Sequence, residues 1–109
     1  MVNKNVSLNQ IASKVAGFLS DHIHVDQLIL FGSYNDGRPR EDSDIDIAVI
    51  SEDFERMRIL DKIDLFAKVS LAVDSRLELV GFPKNKFMNP DPCSLLEVIK
   101  QKGKILIAY

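Results

Sequence analysis

Cysteine is nearly missing from this chain: among 109 residues there is one, Cys93. A single thiol closes no internal disulfide, and no Cys spacing of the metal-binding kind exists, so a reduced, cytoplasmic setting is expected. A basic surplus is also missing. The formal net charge is −2 and the pI is about 5.6, which disfavours binding of nucleic acid through its phosphates. No apolar run approaches the roughly 18 residues of a membrane span. The opening MVNKNVSLNQ lacks the apolar core of a signal peptide. Internal repeats and low-complexity stretches are absent too, which excludes solenoids and linkers. What is present is a chain with 46% hydrophobic residues, ordinary for a globular core. The length supports one domain, residues 1–109, with little room for a second module. A large substrate would have to be held by a partner or bound weakly.

The apolar pattern predicts the order α-β-β-α-β-α. Ser7 suits an N-cap, and Leu8, Ile11, Ala12, Val15, Phe18 and Leu19 follow helical spacing. Strands are expected at about 27–31 and 45–50, the second near-continuously apolar and so central in its sheet. A helix starting at Ser51 or Asp53 would turn Phe54, Met57, Leu60, Ile63, Ala67 and Leu71 inward. A third strand, about 76–82, should end at Pro83, followed by a loop with Lys84, Lys86 and Phe87. Asp91-Pro92 reads as the start of a last helix that buries Leu95, Leu96 and Ile99 and stops at Gly103. The apolar tail 105–109 reads as a last core strand in preference to an exposed contact surface. The fold class is therefore α/β, of the α+β kind, with a small mixed sheet flanked by helices.

Between Phe31 and Ile47 the chain reads FGSYNDGRPREDSDIDI, and this stretch carries the functional signal. Glycine at a strand end lets backbone N–H groups approach a phosphate with no Cβ in the way. Ser33 adds a hydroxyl donor, and Ser43 is a further local donor or acceptor. Asp44 and Asp46 lie two apart in a strand, so both carboxylates project from one face. Two acids there repel each other and resist desolvation. A pair of hard divalent cations would offset both costs. Glu78, set among apolar residues in the third strand, is the candidate third acid. Asp74 is its rival, but it reads as a turn residue at a helix–strand junction. His22 and His24 lack any zinc-type spacing and read as helix-end or surface residues. Cys93 reads as packing.

Gly32-Ser33, a gap of ten residues and then Asp44-Ile45-Asp46 resemble the GSx10DxD signature of the DNA polymerase β-like nucleotidyltransferase superfamily. The short length, Phe31 and Ser43 resemble its minimal nucleotidyltransferase branch. The resemblance implies a polymerase β-like core, two Mg²⁺ ions and ATP as substrate. Asp44 and Asp46 would hold both ions, Glu78 would complete one site or act as base, and Gly32 and Ser33 would hold the triphosphate. Relatives of this kind often carry an arginine two or three residues past the Gly-Ser pair. This chain has Tyr34-Asn35-Asp36 there, so Arg38 and Arg40 are the nearest replacements.

The resemblance also implies a partner. Proteins of the minimal branch typically act beside a helical HEPN toxin as its antitoxin, attaching AMP to a toxin tyrosine. Homo- or hetero-oligomers are both compatible with this. Two alternatives stay open: a non-catalytic antitoxin that neutralises its partner by occlusion, and a transferase acting on a small molecule or RNA.

Overall fold

The structure, a computed structural model, describes residues 8–32, 34 and 44–109. The chain forms α1 (Leu8–Ser20), β1 (Gln27–Phe31), β2 (Ile45–Ser51), a 3-10 turn (Glu52–Glu55), α2 (Ile59–Ala72), β3 (Leu77–Pro83), α3 (Lys84–Met88), α4 (Leu95–Lys102) and β4 (Lys104–Ala108). Among the described residues the strands make one sheet in the order β3-β2-β1-β4. β1 runs antiparallel to both β2 and β4, while β2 and β3 run parallel. A parallel pair needs a crossover, which the 3-10 turn and α2 supply.

Side-chain alternation divides the core between the two faces of the sheet. Leu28 and Leu30 of β1 and Ile45, Ile47 and Val49 of β2 face α1 and α2, packing with Val15, Leu19, Leu65, Phe66 and Val69. Ile29 of β1 and Ala48 and Ile50 of β2 face the other way, toward Phe87 of α3 and Leu96 and Ile99 of α4. By the same parity, Asp44 and Asp46 belong to the second face. On β3, Val80 and Phe82 pack on that face, so Glu78 belongs to it as well.

The expected mixed sheet with flanking helices is present, and β2, expected to be central, is an inner strand, as is β1. Several details differ. Ser51 caps only the 3-10 turn, accepting from the Asp53 N–H at 3.1 Å, and the helix proper restarts at Ile59. That break resets the helical phase. Leu65, Phe66 and Val69 turn inward, whereas Leu60, Ile63 and Leu71 are 77%, 56% and 88% exposed, and Ala67 is exposed with them. The segment after Pro83 is a short helix rather than a loop. The last helix opens at Leu95 instead of Asp91-Pro92, because Ser94 caps it by accepting from the Glu97 N–H at 3.1 Å; Leu95 itself is exposed. Cys93 is also exposed rather than packed. The tail 104–108 pairs with β1 as a strand. The proposed Ser7 cap lies outside the described residues.

The phase of α2 is testable. Leu65→Ala should cost about 2–4 kcal/mol by removing a buried side chain, while Leu71→Ala should stay within about 0.5 kcal/mol. Urea midpoints at constant m-value measure both.

Candidate active site

Strand register assembles the site at one end of the sheet. Phe31, the last residue of β1, pairs with Asp46, and Asp46 pairs in turn with Glu78 across the parallel ladder. Asp46 is thus flanked by the end of β1 on one side and by an acid on the other. Asp44 lies two residues before it, just outside β2. α3 and α4 cover the middle of this sheet face through Phe87, Leu96 and Ile99. The acids extend the row beyond that cover: Asp44 and Glu78 are exposed and Asp46 is half-buried.

Gly32 closes the β1 end. Its φ is +78°, in the left-handed region that favours glycine. A Cβ built there would overlap the Asp46 carboxylate. Glycine suits this position by its backbone angle, and a side chain here would also push the Asp46 carboxylate aside.

The carboxylates feel one another. Burial pushes the Asp46 carboxyl above the ordinary range, the Asp44 charge adds to this, and a hydrogen bond with Glu78 partly offsets it. The Glu78 carboxyl is also raised, first by the Asp46 charge, then by burial and by hydrogen bonding with Asp44. These are three oxygen-donor groups suited to a hard divalent cation. Among the described residues, however, no three His, Cys, Asp or Glu side chains are gathered into a metal-holding group as they stand. Glu78 sits exposed on the edge strand β3.

Asp74 is occupied elsewhere. It receives Arg76 Nη2 at 2.8 Å, Arg76 Nε at 3.1 Å and the Arg76 backbone N–H at 2.9 Å. The Arg76 hydrogen bonds hold its carboxyl below the ordinary range. Arg76 Nη1 also donates to the Tyr34 hydroxyl at 3.3 Å. Sequence reasoning missed this cluster, although an acid two residues before an arginine at a strand start was a usable signal. Ser33, Ser43, Arg38 and Arg40 lie outside the described residues, as does Asp36.

A second polar cluster sits at the opposite end of the sheet. The buried Asp26 carboxylate accepts from the Glu52 N–H at 3.0 Å and lies 3.3 Å from His24 Nε2 and 3.8 Å from Lys84 Nζ. The His24 N–H donates to Asp53 at 2.8 Å. A shallow cleft of about 550 Å³ there is lined by residues such as His22, His24, Asp53 and Tyr109, far along β2 from the acids. As expected, His22 and His24 are exposed residues past the first helix.

Gly32 thus lies against Asp46, with Glu78 one strand over. The chain belongs to the family described as "Polymerase beta, Nucleotidyltransferase", which matches over residues 13–109. It is 43% identical over 72 residues to the protein adenylyltransferase MntA of Shewanella oneidensis, a stretch covering 62% of this chain and 48% of that protein. The chain thus spans about half the length of that relative. A crystal structure of a toxin–antitoxin with AMP-PNP aligns with a TM-score of 0.65 at 30% identity, over 89% of this chain and 73% of that one. A rebuilt structure of a tri-AMPylated Shewanella oneidensis HEPN toxin with an MNT antitoxin aligns at TM-score 0.58 and 26% identity, over 94% and 74%. Among the described residues no helix is long and apolar enough to cross a membrane.

The sign of the Glu78 shift gives a prediction. A raised carboxyl pKa means that the folded state binds more protons than the unfolded one, so stability falls as pH rises through the window above the unfolded value of about 4.3. At pH 7 without metal, Glu78→Gln should therefore stabilise the fold, by about 0.5 kcal/mol after solvent screening. Below pH ~4 the gain should vanish. Thermal melts in chelator across pH 3–8 measure it.

Proposed function

We propose that this protein is a Mg²⁺-dependent adenylyltransferase that moves AMP from ATP to a hydroxyl, a tyrosine of a HEPN toxin partner, and so acts as its antitoxin in the cytoplasm. The observation that carries this reading is the register Phe31–Asp46–Glu78 with Gly32 against Asp46. The adenylyltransferase and toxin–antitoxin relatives supply the nucleotide and the partner.

Asp44 and Asp46 would hold two ions, with Glu78 completing one of the sites. When bound, the ions lower the pKa of the acceptor hydroxyl and neutralise charge on the leaving phosphates. Gly32 presents backbone with no Cβ to the triphosphate, and Ser33, Ser43, Arg38 and Arg40 are the candidates to complete the cradle. The acceptor oxygen attacks the α-phosphorus, the bond to the β-phosphate bridging oxygen breaks, and pyrophosphate departs in line. Glu78 is the candidate base for the hydroxyl proton. An adenylyl group on the toxin adds bulk and negative charge, which disables a site that binds RNA phosphates.

The incomplete gathering of the acids favours one second reading, a binding protein that neutralises its partner by occlusion. One experiment separates the two. The protein is incubated with MgATP and the toxin, and the toxin is weighed by mass spectrometry. Transfer predicts a gain of one AMP per modified tyrosine. Asp44→Asn should cut the rate by about a thousandfold, since an ion's charge stabilisation is worth several kcal/mol, while leaving the fold and the complex intact. Under occlusion the toxin gains no mass, and Asp44→Asn still neutralises it.

A further inference from the structure

We propose that Asp74 and Arg76 are positioning residues for the nucleotide site, acting through Tyr34; this deepens the AMP-transfer reading and rests on it. Tyr34 is the residue that follows Gly32-Ser33. Its ring packs against the larger core cluster, and its hydroxyl accepts from Arg76 Nη1 at 3.3 Å. Arg76 is in turn fixed from three directions by Asp74: through its own backbone N–H at 2.9 Å, Nε at 3.1 Å and Nη2 at 2.8 Å. The Arg76 and Asp74 side chains are only 31% and 19% exposed. A planar guanidinium gripped on both edges of a carboxylate keeps one orientation. Its remaining donors then point where the pair points, and one of them holds Tyr34.

The same residue reaches the acids. The Arg76 carbonyl accepts the Ile45 N–H at 2.8 Å, and Ile45 lies between Asp44 and Asp46. Residues 74–76 therefore bind two things at once: the chain just past the Gly-Ser pair and the backbone carrying the two aspartates. Glu78 follows two residues later on the same strand. Three separated parts of the site are referred to one short segment that is itself held rigid.

The consequence falls on nucleotide binding. Tyr34, held by Arg76 and the core, does not lose its own conformational freedom when the triphosphate arrives beside Gly32, and that saving shows as affinity. The chemical step, which depends on the acids and the acceptor, is left alone. Arg76 serves here through Tyr34 and through its backbone, and Asp74 serves by holding Arg76; neither touches the substrate in this account.

The test uses Tyr34→Phe, which deletes one hydroxyl, and Arg76→Lys, which keeps the charge and loses the fork. Three quantities are read: the Kd for AMP-PNP with Mg²⁺ by calorimetry, the KM and kcat for AMP transfer, and the melting temperature. Tyr34→Phe should raise Kd and KM about five- to tenfold, the scale of one lost hydrogen bond, with kcat within about twofold and the melting temperature within ~2 °C. Arg76→Lys should act in the same direction and at least as strongly. In the double variant the Tyr34 effect should disappear, because its partner is already gone. An unchanged Kd in Tyr34→Phe, a kcat loss at constant Kd, or additive effects in the double variant overturns the proposal. If the protein binds AMP-PNP but transfers no AMP, the adenylyltransferase reading fails while the calorimetric arm still decides this one.

Discussion

Everything at the site depends on forcing like charges together. Asp46 sits on an inner strand, half-buried, with Asp44 two residues before it and Glu78 opposite on the parallel neighbour. Left to themselves, such carboxylates would separate or be replaced by apolar residues. The sheet does not let them separate. β2 is clamped between β1 and β3, and a one-residue slip of its register would turn Ile45, Ile47 and Val49 out of the main core. The hydrophobic burial of one face thus fixes the charges on the other. Burial first and the Asp44 charge second push the Asp46 carboxyl up, and the Asp46 charge does the same to Glu78.

The two faces of the sheet divide the work. One is closed by α1 and α2, with Val15, Leu19 and Val69 fully buried. The other is covered by α3 and α4 only over its middle, through Phe87, Leu96 and Ile99. Among the described residues no helix covers the strand ends beyond them, and the acids and Gly32 lie there. The αβ crossover has a second role in this arrangement. By carrying the chain from β2 back to a parallel β3, it delivers Asp74, Arg76 and Glu78 to the same end of the sheet as Asp44 and Asp46. A hairpin would have delivered them to the opposite end.

Much of this is legible in the amino-acid sequence. The spacing of Asp44 and Asp46 fixed their shared face, because strand parity is local. Gly32 at a strand end announced a special backbone position, and its φ is positive. The inward face of α2 was not legible. Ile59, Leu60, Ile63 and Leu71 are apolar enough to mimic a core stripe, yet they are exposed; the break after the 3-10 turn shifts the phase by an amount that no local propensity fixes. The last helix start was misplaced for a related reason, since Asp91-Pro92 and Ser94 both satisfy the rules for a cap and only tertiary packing chooses between them. The roles of Asp74 and Arg76 needed the third dimension. Arg76 meets Tyr34 across 42 residues of chain, and the one-dimensional pattern shows Asp74 only as a turn acid.

The central claim of the proposal is that Asp44, Asp46 and Glu78 together would hold two divalent cations beside a nucleotide cradle. Calorimetric titration of Mg²⁺ into the protein with AMP-PNP, for wild type and for Asp46→Asn, tests it most directly. The account predicts saturable uptake by wild type that is lost in Asp46→Asn, with both proteins folded. Uptake that is absent in wild type, or equally strong in Asp46→Asn, would contradict it.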